Sequence, residues 1–371
     1  MRSKMLILFM STTLLLSACS NSNSPYDKSM KNGREGLKQE NFSAAMKEFE
    51  LALIEKPSDE NAKSLLDQAK NGVIKSIRSD SVTYDGEWID WTITGQGTMT
   101  WTNNDKYTGE FLDGKRSGKG VIRYANGDKY EGDWKDDKKN GIGIDTFANG
   151  DKYDGSFVDD KREGKGIVLF ADGEKYEGDL ISNKADGKGV YSWPNGDKYI
   201  GDFANDKRNG QGIMEFANGN KYEGDFTDGK QEGHGKFTWA RGDFYEGQFV
   251  NDKPEGQGTY TWKNGEKQAG EFKDGDGING VRYFINGEIY EGEWLGSKKH
   301  GFGKHSWPDG ENYEGEWNYG EMHGKGVYTY ADGAKFDGIY VNGKRDGEGI
   351  LTRPDGVILK QGTWKNGVFI G

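Results

Sequence analysis

Aromatic and glycine positions return along most of the chain at a fixed interval of 23 residues. In one copy of the pattern, Tyr130, Gly132 and Trp134 follow at spacings of two, and so do Gly141 and Gly143 farther along. A spacing of two places side chains on one face of a β-strand, whereas an amphipathic helix needs spacings of three and four. The chain also contains 59 glycines, which would weaken any helix that they interrupted. Each copy is therefore predicted to be a β-hairpin.

The copies follow one another directly, and one of them is a residue shorter than the rest. A fixed period in this range indicates a repeat architecture, in which each unit contacts only its neighbours. We therefore expect a mainly β fold, an elongated single-layer antiparallel sheet of tandem β-hairpins over residues 83–371. The positions that open the thirteen copies are Tyr84, Tyr107, Tyr130, Tyr153, Tyr176, Tyr199, Tyr222, Tyr245, Gln268, Tyr290, Tyr313, Phe336 and Leu359.

The prolines indicate the type of turn within each copy. Pro194 and Pro308 stand directly before Asn195-Gly196 and Asp309-Gly310, where a two-residue hairpin would need a backbone N–H donor. A type I turn with proline second and a left-handed glycine fourth accepts these residues. The prediction is a three-residue hairpin loop with a bulge, which places the aromatic residue before the loop on the same face as the next tyrosine.

Three aromatic columns are thus expected on one face, with glycines leaving room for rings to lie over the backbone. The opening tyrosines form the first column, and most rings are expected to pack on one another as a thin core. The opposite face should carry solvated rows of lysine and glutamate. The second column is Trp88, Phe111, Trp134, Phe157, Leu180, Phe203, Phe226, Phe249, Phe272, Trp294, Trp317, Tyr340 and Trp364. The third is Trp101, Tyr124, Phe147, Phe170, Trp193, Phe216, Trp239, Trp262, Phe284, Trp307 and Tyr330.

The pattern Tyr-x-Gly-x-Phe/Trp-x-Asn/Asp-Gly-Lys-x-x-Gly-x-Gly resembles the MORN (membrane occupation and recognition nexus) repeat. Residues 113–120 (DGKRSGKG) and 229–235 (GKQEGHG) match it closely. The resemblance covers residues 83–371. It implies an elongated single-layer sheet used for protein contacts or membrane association, and it implies no catalysis.

Residues 1–18 are predicted to be a lipoprotein signal peptide. Arg2 and Lys4 precede a short apolar run, and the run ends in Leu-Ser-Ala-Cys, which resembles a bacterial lipobox. The resemblance implies that Cys19, the one cysteine of the chain, is diacylated, palmitate being one such acyl chain, and two acyl chains suffice for stable anchoring. The alternative is an ordinary secretory signal with an incidental cysteine. We expect a lipid anchor on the extracytoplasmic face of a bacterial membrane, the outer membrane if the cell has two, and a short tether over residues 19–29.

Residues 30–80 form the one segment with a helical pattern. Gly33, Ala45, Phe49, Ala52 and Pro57 fall at spacings that resemble one tetratricopeptide (TPR-like) unit. A further amphipathic helix is predicted to begin after Ser58 and Asp59, which are favourable N-cap residues. We expect this segment to be a helical cap on the first hairpin, since an open sheet edge needs protection.

The chemistry expected of an enzyme or a metal site is absent from the pattern. No phosphate-binding Gly-x-x-x-x-Gly-Lys-Ser/Thr motif occurs, and the carboxylate pairs repeat with the period as a solvated face does. His300 and His323 are one period apart, too far to share a metal, and His234 and His305 are interpreted as isolated surface residues. A local irregularity is expected at residues 271–280, where Asp274 and Asp276 leave calcium as a minor alternative. No catalytic residue, cofactor or metal is predicted.

Charge limits the possible partners. The formal net charge is −11, and the repeats carry more than all of it, because residues 1–82 contain slightly more basic than acidic residues. An acidic sheet is repelled by nucleic acid and, less strongly, by phosphoinositides and other anionic lipids. Nucleic acid is therefore not an expected partner.

Two functions remain open. The first is a non-enzymatic scaffold in which the aromatic face, or the last strand from Trp364 to Gly371, binds another protein or a second copy of the chain. The second is binding of an envelope glycan, such as peptidoglycan or another polysaccharide, by rings that stack on sugars. The candidate partner or glycan face is Trp101, Tyr124, Trp193, Trp239, Trp262, Trp307 and Tyr330.

Overall fold

A computed structural model describes residues 24–39, 41–77, 82–89 and 92–371. The chain divides into two compact units, Met1–Ala125 and Asn126–Gly371. Over the described residues, three helices are followed by 26 β-strands. The predicted signal peptide and Cys19 lie outside the described residues.

The helices of the first unit begin at side chains that accept hydrogen bonds from free backbone N–H groups. Ser24 Oγ accepts from the N–H of Asp27 (3.0 Å), and Asp59 Oδ1 accepts from the N–H of Ala62 (2.8 Å), as expected of N-cap residues. The predicted start of the last helix after Asp59 is thus confirmed, whereas the first helix begins within the expected tether. The helices are α1 (Pro25–Lys38), α2 (Phe42–Glu55) and α3 (Glu60–Ile77).

Helices α1 and α2 pack closely because several residues between them have small side chains or none. A Cβ atom on Gly33 would lie 2.6 Å from the ring of Phe49, so only glycine fits there. Ala45, Phe49 and Ala52 are fully buried in the core of this helical cluster. These are residues of the TPR-like spacing, which therefore accounts for the packing of α1 on α2. The TPR-like assignment and the capping role stay predictions.

The strands of each unit pair antiparallel with the strands before and after them in sequence. Within the second unit the sheet is a single layer, as predicted from the repeat. The first unit has β1 (Val82–Ile89), β2 (Thr92–Trp101), β3 (Lys106–Leu112) and β4 (Lys115–Arg123). The second has β5 (Lys129–Lys135), β6 (Lys138–Thr146), β7 (Lys152–Val158), β8 (Lys161–Leu169), β9 (Lys175–Ile181), β10 (Lys184–Ser192), β11 (Lys198–Ala204), β12 (Lys207–Glu215), β13 (Lys221–Thr227), β14 (Lys230–Thr238), β15 (Phe244–Val250), β16 (Lys253–Thr261), β17 (Lys267–Lys273), β18 (Asp276–Tyr283), β19 (Ile289–Leu295), β20 (Lys298–Ser306), β21 (Asn312–Asn318), β22 (Glu321–Thr329), β23 (Lys335–Val341), β24 (Lys344–Thr352), β25 (Ile358–Lys365) and β26 (Val368–Phe369).

The three-residue hairpin loops have the predicted geometry. Between β6 and β7, the N–H of Gly150 donates to the carbonyl of Phe147 (2.9 Å), and the N–H of Phe147 donates to the carbonyl of Asp151 (2.9 Å). Gly150 has φ +99°, the left-handed conformation that the type I turn with a bulge requires. The turn prediction is confirmed.

The other end of each hairpin closes with a two-residue turn that the sequence analysis treated only as a polar link. Asp136 and Asp137 have φ values of 49° and 68°, and Lys135 pairs with Lys138 across the turn. Two consecutive positive φ angles define a type I′ turn, for which Asn-Gly and Asp-Gly are the usual signals. The chain therefore reverses direction twice in every repeat.

The first two aromatic columns form the core of the sheet. Tyr130 is fully buried and Trp134 is 4% exposed. The Tyr130 ring meets Trp134 edge to face at 5.2 Å and meets Phe157 of the next copy at 5.1 Å. Most tyrosines contact two rings of the second column in this way, so the rings form a zipper, which is interrupted where Leu180 and Gln268 replace rings. The predicted thin aromatic core is confirmed.

Each buried tyrosine lies over glycine, as the sequence predicted. The hydroxyl of Tyr130 donates to the carbonyl of Asp133 (2.8 Å), and a Cβ atom on Gly132 would lie 2.6 Å from that hydroxyl. Burial raises the pKa of Tyr153 and Tyr199 to about 12 in the same setting. The phenol thus stays a hydrogen-bond donor at physiological pH.

The expected irregularity lies in the pairing of β17 with β18. In the regular copy before it, the register passes from Gly247 opposite Gly258 to Phe249 opposite Pro254, so one strand has two extra residues. In β17 and β18, Phe272 lies opposite Gly277 and only one residue is extra. Gln268 is buried in place of tyrosine, and its amide nitrogen has no hydrogen-bond partner among the described residues.

Substituting Gly132 by alanine should destabilise the sheet by roughly 1–3 kcal/mol, because the added methyl group overlaps the Tyr130 hydroxyl and the facing backbone. Equilibrium unfolding in urea, followed by tryptophan fluorescence, measures the change. Asp154→Ala, at an exposed position in the equivalent strand of the next copy, should change stability by less than about 0.5 kcal/mol. Equal effects of the two substitutions would contradict the ring-over-glycine account.

Candidate functional site

The third aromatic column, called here the outer aromatic row, lies at the three-residue ends of the hairpins. Trp193 shows the arrangement: its N–H donates to the carbonyl of Asp197 (3.0 Å) and its carbonyl accepts from Gly196 (3.0 Å). All eleven residues of the row are half-buried, whereas most described residues of the first and second columns are buried. The seven predicted candidates therefore share one position in the repeat and keep part of each ring accessible.

A fourth column, which the sequence analysis missed, lies between the tyrosines and the outer aromatic row. Its members face the tyrosine in register, as Tyr191 faces both Tyr176 and Tyr199. We call it the variable column because its chemistry changes from copy to copy. It comprises Met99, Ile122, Asp145, Val168, Tyr191, Met214, Phe237, Tyr260, Arg282, His305, Tyr328 and Leu351. The signal that could have revealed it is its spacing of two from the outer aromatic row.

The variable column and the outer aromatic row stack alternately in the second unit. Tyr260 lies 5.1 Å from Trp239 and 4.6 Å from Trp262, and Arg282 lies over Trp262 at 4.1 Å. An unbroken line of such contacts, here named the stacked line, runs over Phe216, Phe237, Trp239, Tyr260, Trp262, Arg282, Phe284, His305, Trp307, Tyr328 and Tyr330. Its rings are tilted rather than perpendicular, so ring faces as well as edges reach the surface.

Carboxylates lie behind the polar members of the variable column. Tyr191 donates to Glu174, and Tyr260 donates to Asp243 (2.9 Å). In both cases the carboxylate lies 17 residues earlier, in the loop of the preceding hairpin. Burial first, and then the carboxylate, raises the pKa of Tyr191 above its ordinary value. The stacked line thus combines ring faces with fixed hydrogen-bonding groups.

His305 corrects the interpretation of the histidines as surface residues. It is only 4% exposed and lies between the rings of Trp307 (4.4 Å) and Trp317 (5.9 Å). The position in the repeat explains the burial, because the variable column packs against the tyrosine core. His300 and His323 are half-buried, and His234 is exposed as expected.

The opposite face carries the predicted rows of lysine and glutamate. Lys175 pairs with Glu177 (2.7 Å) and Lys221 pairs with Glu223 (3.0 Å) along the same strands. These pairs are exposed, so they contribute little stability and mainly keep the face wet.

An apolar groove interrupts this charged face, and the sequence analysis did not anticipate it. Its floor consists of half-buried Ile167, Val190, Ile200 and Ile213 with glycines between them, and its volume is about 850 Å³. We call it the central groove. Its residues come from β8 to β13, so it crosses six strands.

Ion pairs between neighbouring copies border the central groove. Lys165 contacts Asp179 at 2.6 Å, and Lys188 contacts Asp202 at 2.5 Å. The lysines are mostly exposed, with 75% and 70% of each side chain accessible. The groove thus has an apolar floor beside exposed ion pairs, and little free energy is lost when a partner breaks such a pair.

The part of the chain that the structure describes contains neither a metal-binding cluster nor a membrane-spanning helix. No group of three histidine, cysteine or acidic side chains there is arranged to hold a metal ion. Asp274 of the calcium alternative instead pairs with Lys253 (3.0 Å), which lowers the pKa of the carboxyl. No described helix is both long and apolar enough to cross a bilayer.

Comparison with known families agrees with this repeat geometry. The family model for the MORN repeat matches eleven windows, which together cover more than half of the chain. The chain is a MORN-repeat protein. The matched windows are 84–106, 107–129, 130–152, 153–175, 176–198, 199–221, 222–244, 245–267, 290–311, 313–335 and 336–358. The two predicted copies outside them open with Gln268 and Leu359, where the tyrosine is missing.

Solved structures add little to the MORN assignment. The TCP domain of SAS-4 (dCPAP) from Drosophila melanogaster, in complex with a proline-rich motif of Ana2 (dSTIL), is 18% identical over 48% of this chain and 84% of that chain, with a TM-score of 0.25. A streptogramin B lyase is 13% identical over 70% of this chain and 95% of that one, with a TM-score of 0.13. Such low scores carry no information on function. Among curated proteins, none matches the chain.

The MORN repeats separate constant from variable positions. Tyrosine and glycine positions set the sheet, whereas the variable column and the central groove differ from one copy to the next. The outer aromatic row keeps its aromatic character in eleven loops, and Arg353 takes the equivalent position in the last loop. A repeat scaffold or interaction module is the function that this organisation and the family fit.

Proposed function

We propose that this MORN-repeat protein is a lipid-anchored, extracytoplasmic, non-enzymatic scaffold that binds an apolar segment of a partner protein in the central groove. The observation that carries the proposal is the row of four neighbouring half-buried aliphatic side chains on the face that carries the lysine and glutamate rows. Solvated sheet faces rarely keep contiguous apolar strips unless a partner covers them.

The dimensions of the central groove limit the bound segment. Six strands at a spacing of about 4.8 Å span about 24 Å from the first strand to the last. That length accommodates about 16 residues of helix or about 7 residues of extended chain.

Anchoring is supported by the sequence before the helices. The apolar run followed by Leu-Ser-Ala-Cys19 resembles a lipobox, and residues 20–23 leave a short polar tether before α1. Attachment there would present the repeats close to the membrane surface on the extracytoplasmic side.

Substitution of Cys19 by serine should release the protein from the membrane fraction, because the acyl chains would have no attachment site. Fractionation of cells that express the wild type or C19S, with immunoblotting, measures the distribution. Ser20→Ala is the matched control and should stay membrane-bound. Membrane retention of C19S at the wild-type level would exclude the lipid anchor.

A photo-crosslinking residue at Val190 should capture the partner in living cells, because this position lies on the groove floor. The charge reversals Lys165→Glu and Lys188→Glu together should reduce the captured product by about tenfold. Lys325→Glu, the equivalent position in a copy outside the central groove, is the control and should have little effect. Mass spectrometry then identifies the captured protein.

The same crosslinking experiment can contradict the proposal. Capture of a second copy of this chain would show that the groove serves self-association and does not bind a different protein. Absence of any captured protein in the native envelope, with the protein correctly localised, would exclude binding in the central groove.

A second candidate function is binding of an envelope glycan by the outer aromatic row. It is favoured by the half-buried rings and by the Tyr191–Glu174 and Tyr260–Asp243 pairs beside them, since ring faces and fixed hydrogen bonds together suit sugars. Trp193, Trp239 and Trp262 are the rings best placed to test it.

If the glycan reading is correct, alanine at Trp193, Trp239 and Trp262 should reduce retention of the purified full chain on isolated cell-wall material at least tenfold. The groove variant Lys165→Glu/Lys188→Glu should be retained as well as the wild type. No retention of the wild type would exclude glycan binding, and equal loss in both variants would indicate nonspecific adsorption.

A further inference from the structure

We propose that Lys299 is a reactive amine that binds small aromatic aldehydes reversibly as an imine, with His305 as its proton acceptor and Glu288 holding the imidazole. The proposal goes beyond the scaffold function, because neither partner binding nor anchoring uses these three side chains. It rests on a hydrogen-bonded chain within the stacked line and on the contrast with an equivalent position elsewhere in the repeats.

The three side chains form a continuous hydrogen-bonded chain. Lys299 Nζ lies 2.8 Å from His305 Nδ1, and His305 Nε2 lies 3.1 Å from Glu288 Oε2. When the imidazole is neutral, its Nε2–H donates to Glu288 and its Nδ1 lone pair faces the amine. This is the order that activates nucleophiles in enzymes: a base beside the nucleophile, and a carboxylate that orients the base.

Aromatic rings surround Lys299 and shield its amine from water. The amine lies 4.3 Å from the centre of the Trp317 ring and 5.6 Å from that of Tyr290, in a half-buried position. Burial, opposed by Glu288 and aided by Arg282, lowers the pKa of Lys299 to about 8. Burial and the Lys299 charge also lower the pKa of His305, so the imidazole stays neutral and its Nδ1 lone pair faces the amine.

The partly exposed side chains nearest to Lys299 and His305 lie in and beside the outer aromatic row. Glu288 keeps 26% of its side chain exposed, and Trp307 beside His305 is half-buried. A flat aldehyde can enter against the Trp307 face and bring its carbonyl carbon to the amine, so we expect aromatic aldehydes to fit better than branched ones.

Lys139 provides a matched comparison. It occupies the same position of an earlier copy, since it pairs with Trp134 as Lys299 pairs with Trp294. Its neighbour in the variable column is Asp145, and the two form an ion pair with side chains only 15% and 10% exposed. A carboxylate keeps an amine charged, whereas a neutral imidazole does not. The two lysines therefore share a site geometry and differ in their partner.

The reaction balances without any further reagent. The neutral amine of Lys299 attacks the carbonyl carbon, a C–N bond forms, and the carbonyl π electrons move to the oxygen. One N–H proton passes through His305 to that oxygen and gives a carbinolamine. Loss of the hydroxyl group and the second N–H proton as water leaves the imine, and hydrolysis reverses every step.

The test uses the purified full chain, benzaldehyde as the probe and sodium cyanoborohydride to trap the imine. Peptide mass spectrometry measures the labelling of each lysine between pH 6 and pH 10. At pH 7.5 Lys299 should be labelled at least about tenfold faster than Lys139, because Lys139 lies in an ion pair with Asp145 whereas Lys299 faces an imidazole. The Lys299 rate should level off above pH 8, whereas ordinary lysines continue to gain reactivity.

Reciprocal substitutions separate activation from simple exposure. His305→Asp recreates the pairing of Lys139 with Asp145 and should lower Lys299 labelling about tenfold, whereas Asp145→His should raise labelling of Lys139. Circular dichroism checks the fold of both variants. If His305→Asp does not fold, Asp145→His still decides the question in an otherwise unchanged molecule.

Two outcomes would overturn the proposal. The first is labelling of Lys299 no faster than that of Lys139 in the wild type. The second is an unchanged rate at Lys139 in a folded Asp145→His variant. Neither result would affect the groove or the lipid anchor, because those tests use other residues and another readout.

Discussion

The ring of a tyrosine lying on a pair of facing glycines is the contact on which the rest of this sheet depends. A single-layer sheet has no second layer to cover its apolar face, so its core must come from its own side chains. Tyr130 solves this by lying flat over Gly132 and Gly143, with its hydroxyl bonded to the carbonyl of Asp133. Rings from neighbouring copies then close over one another edge to face.

Hydrogen bonds join neighbouring copies at both ends of the hairpins. At the end with the three-residue loops the N–H of Ala148 donates to Asp128 (2.8 Å), and at the end with the I′ turns the N–H of Lys139 donates to Asp160 (2.8 Å). Each of these bonds joins a turn to the equivalent turn of the next copy. Every added copy therefore makes the same contacts as the one before it, which is why stability accumulates by nearest-neighbour terms.

The regular part of this fold could be predicted from sequence because it repeats. The spacing of Tyr130 and Trp134 gave the buried face, and Pro194 distinguished the three-residue loop from a tighter turn. The I′ turn at Asp136 and Asp137 was missed because Asn/Asp-Gly occurs there in only some copies, while others have Asp-Asp, Asn-Asp, Ser-Asn or Tyr-Gly. The 23-residue repeat could be recognised, but the residues that form the second turn of each repeat differ from copy to copy.

The candidate sites were harder to predict for a related reason: they lie where the copies differ. Ile200 lies where most copies have an acidic residue, and it meets Val190 and Ile213 only through strand pairing. His305 was interpreted as a surface residue because a lone histidine shows no periodicity, yet its position faces the tyrosine core. The core contacts are the same in most copies and cannot distinguish one copy from another. Specific recognition must therefore use residues that are not needed for the repeated core. In this chain those residues lie in the variable column and in the central groove on the opposite face.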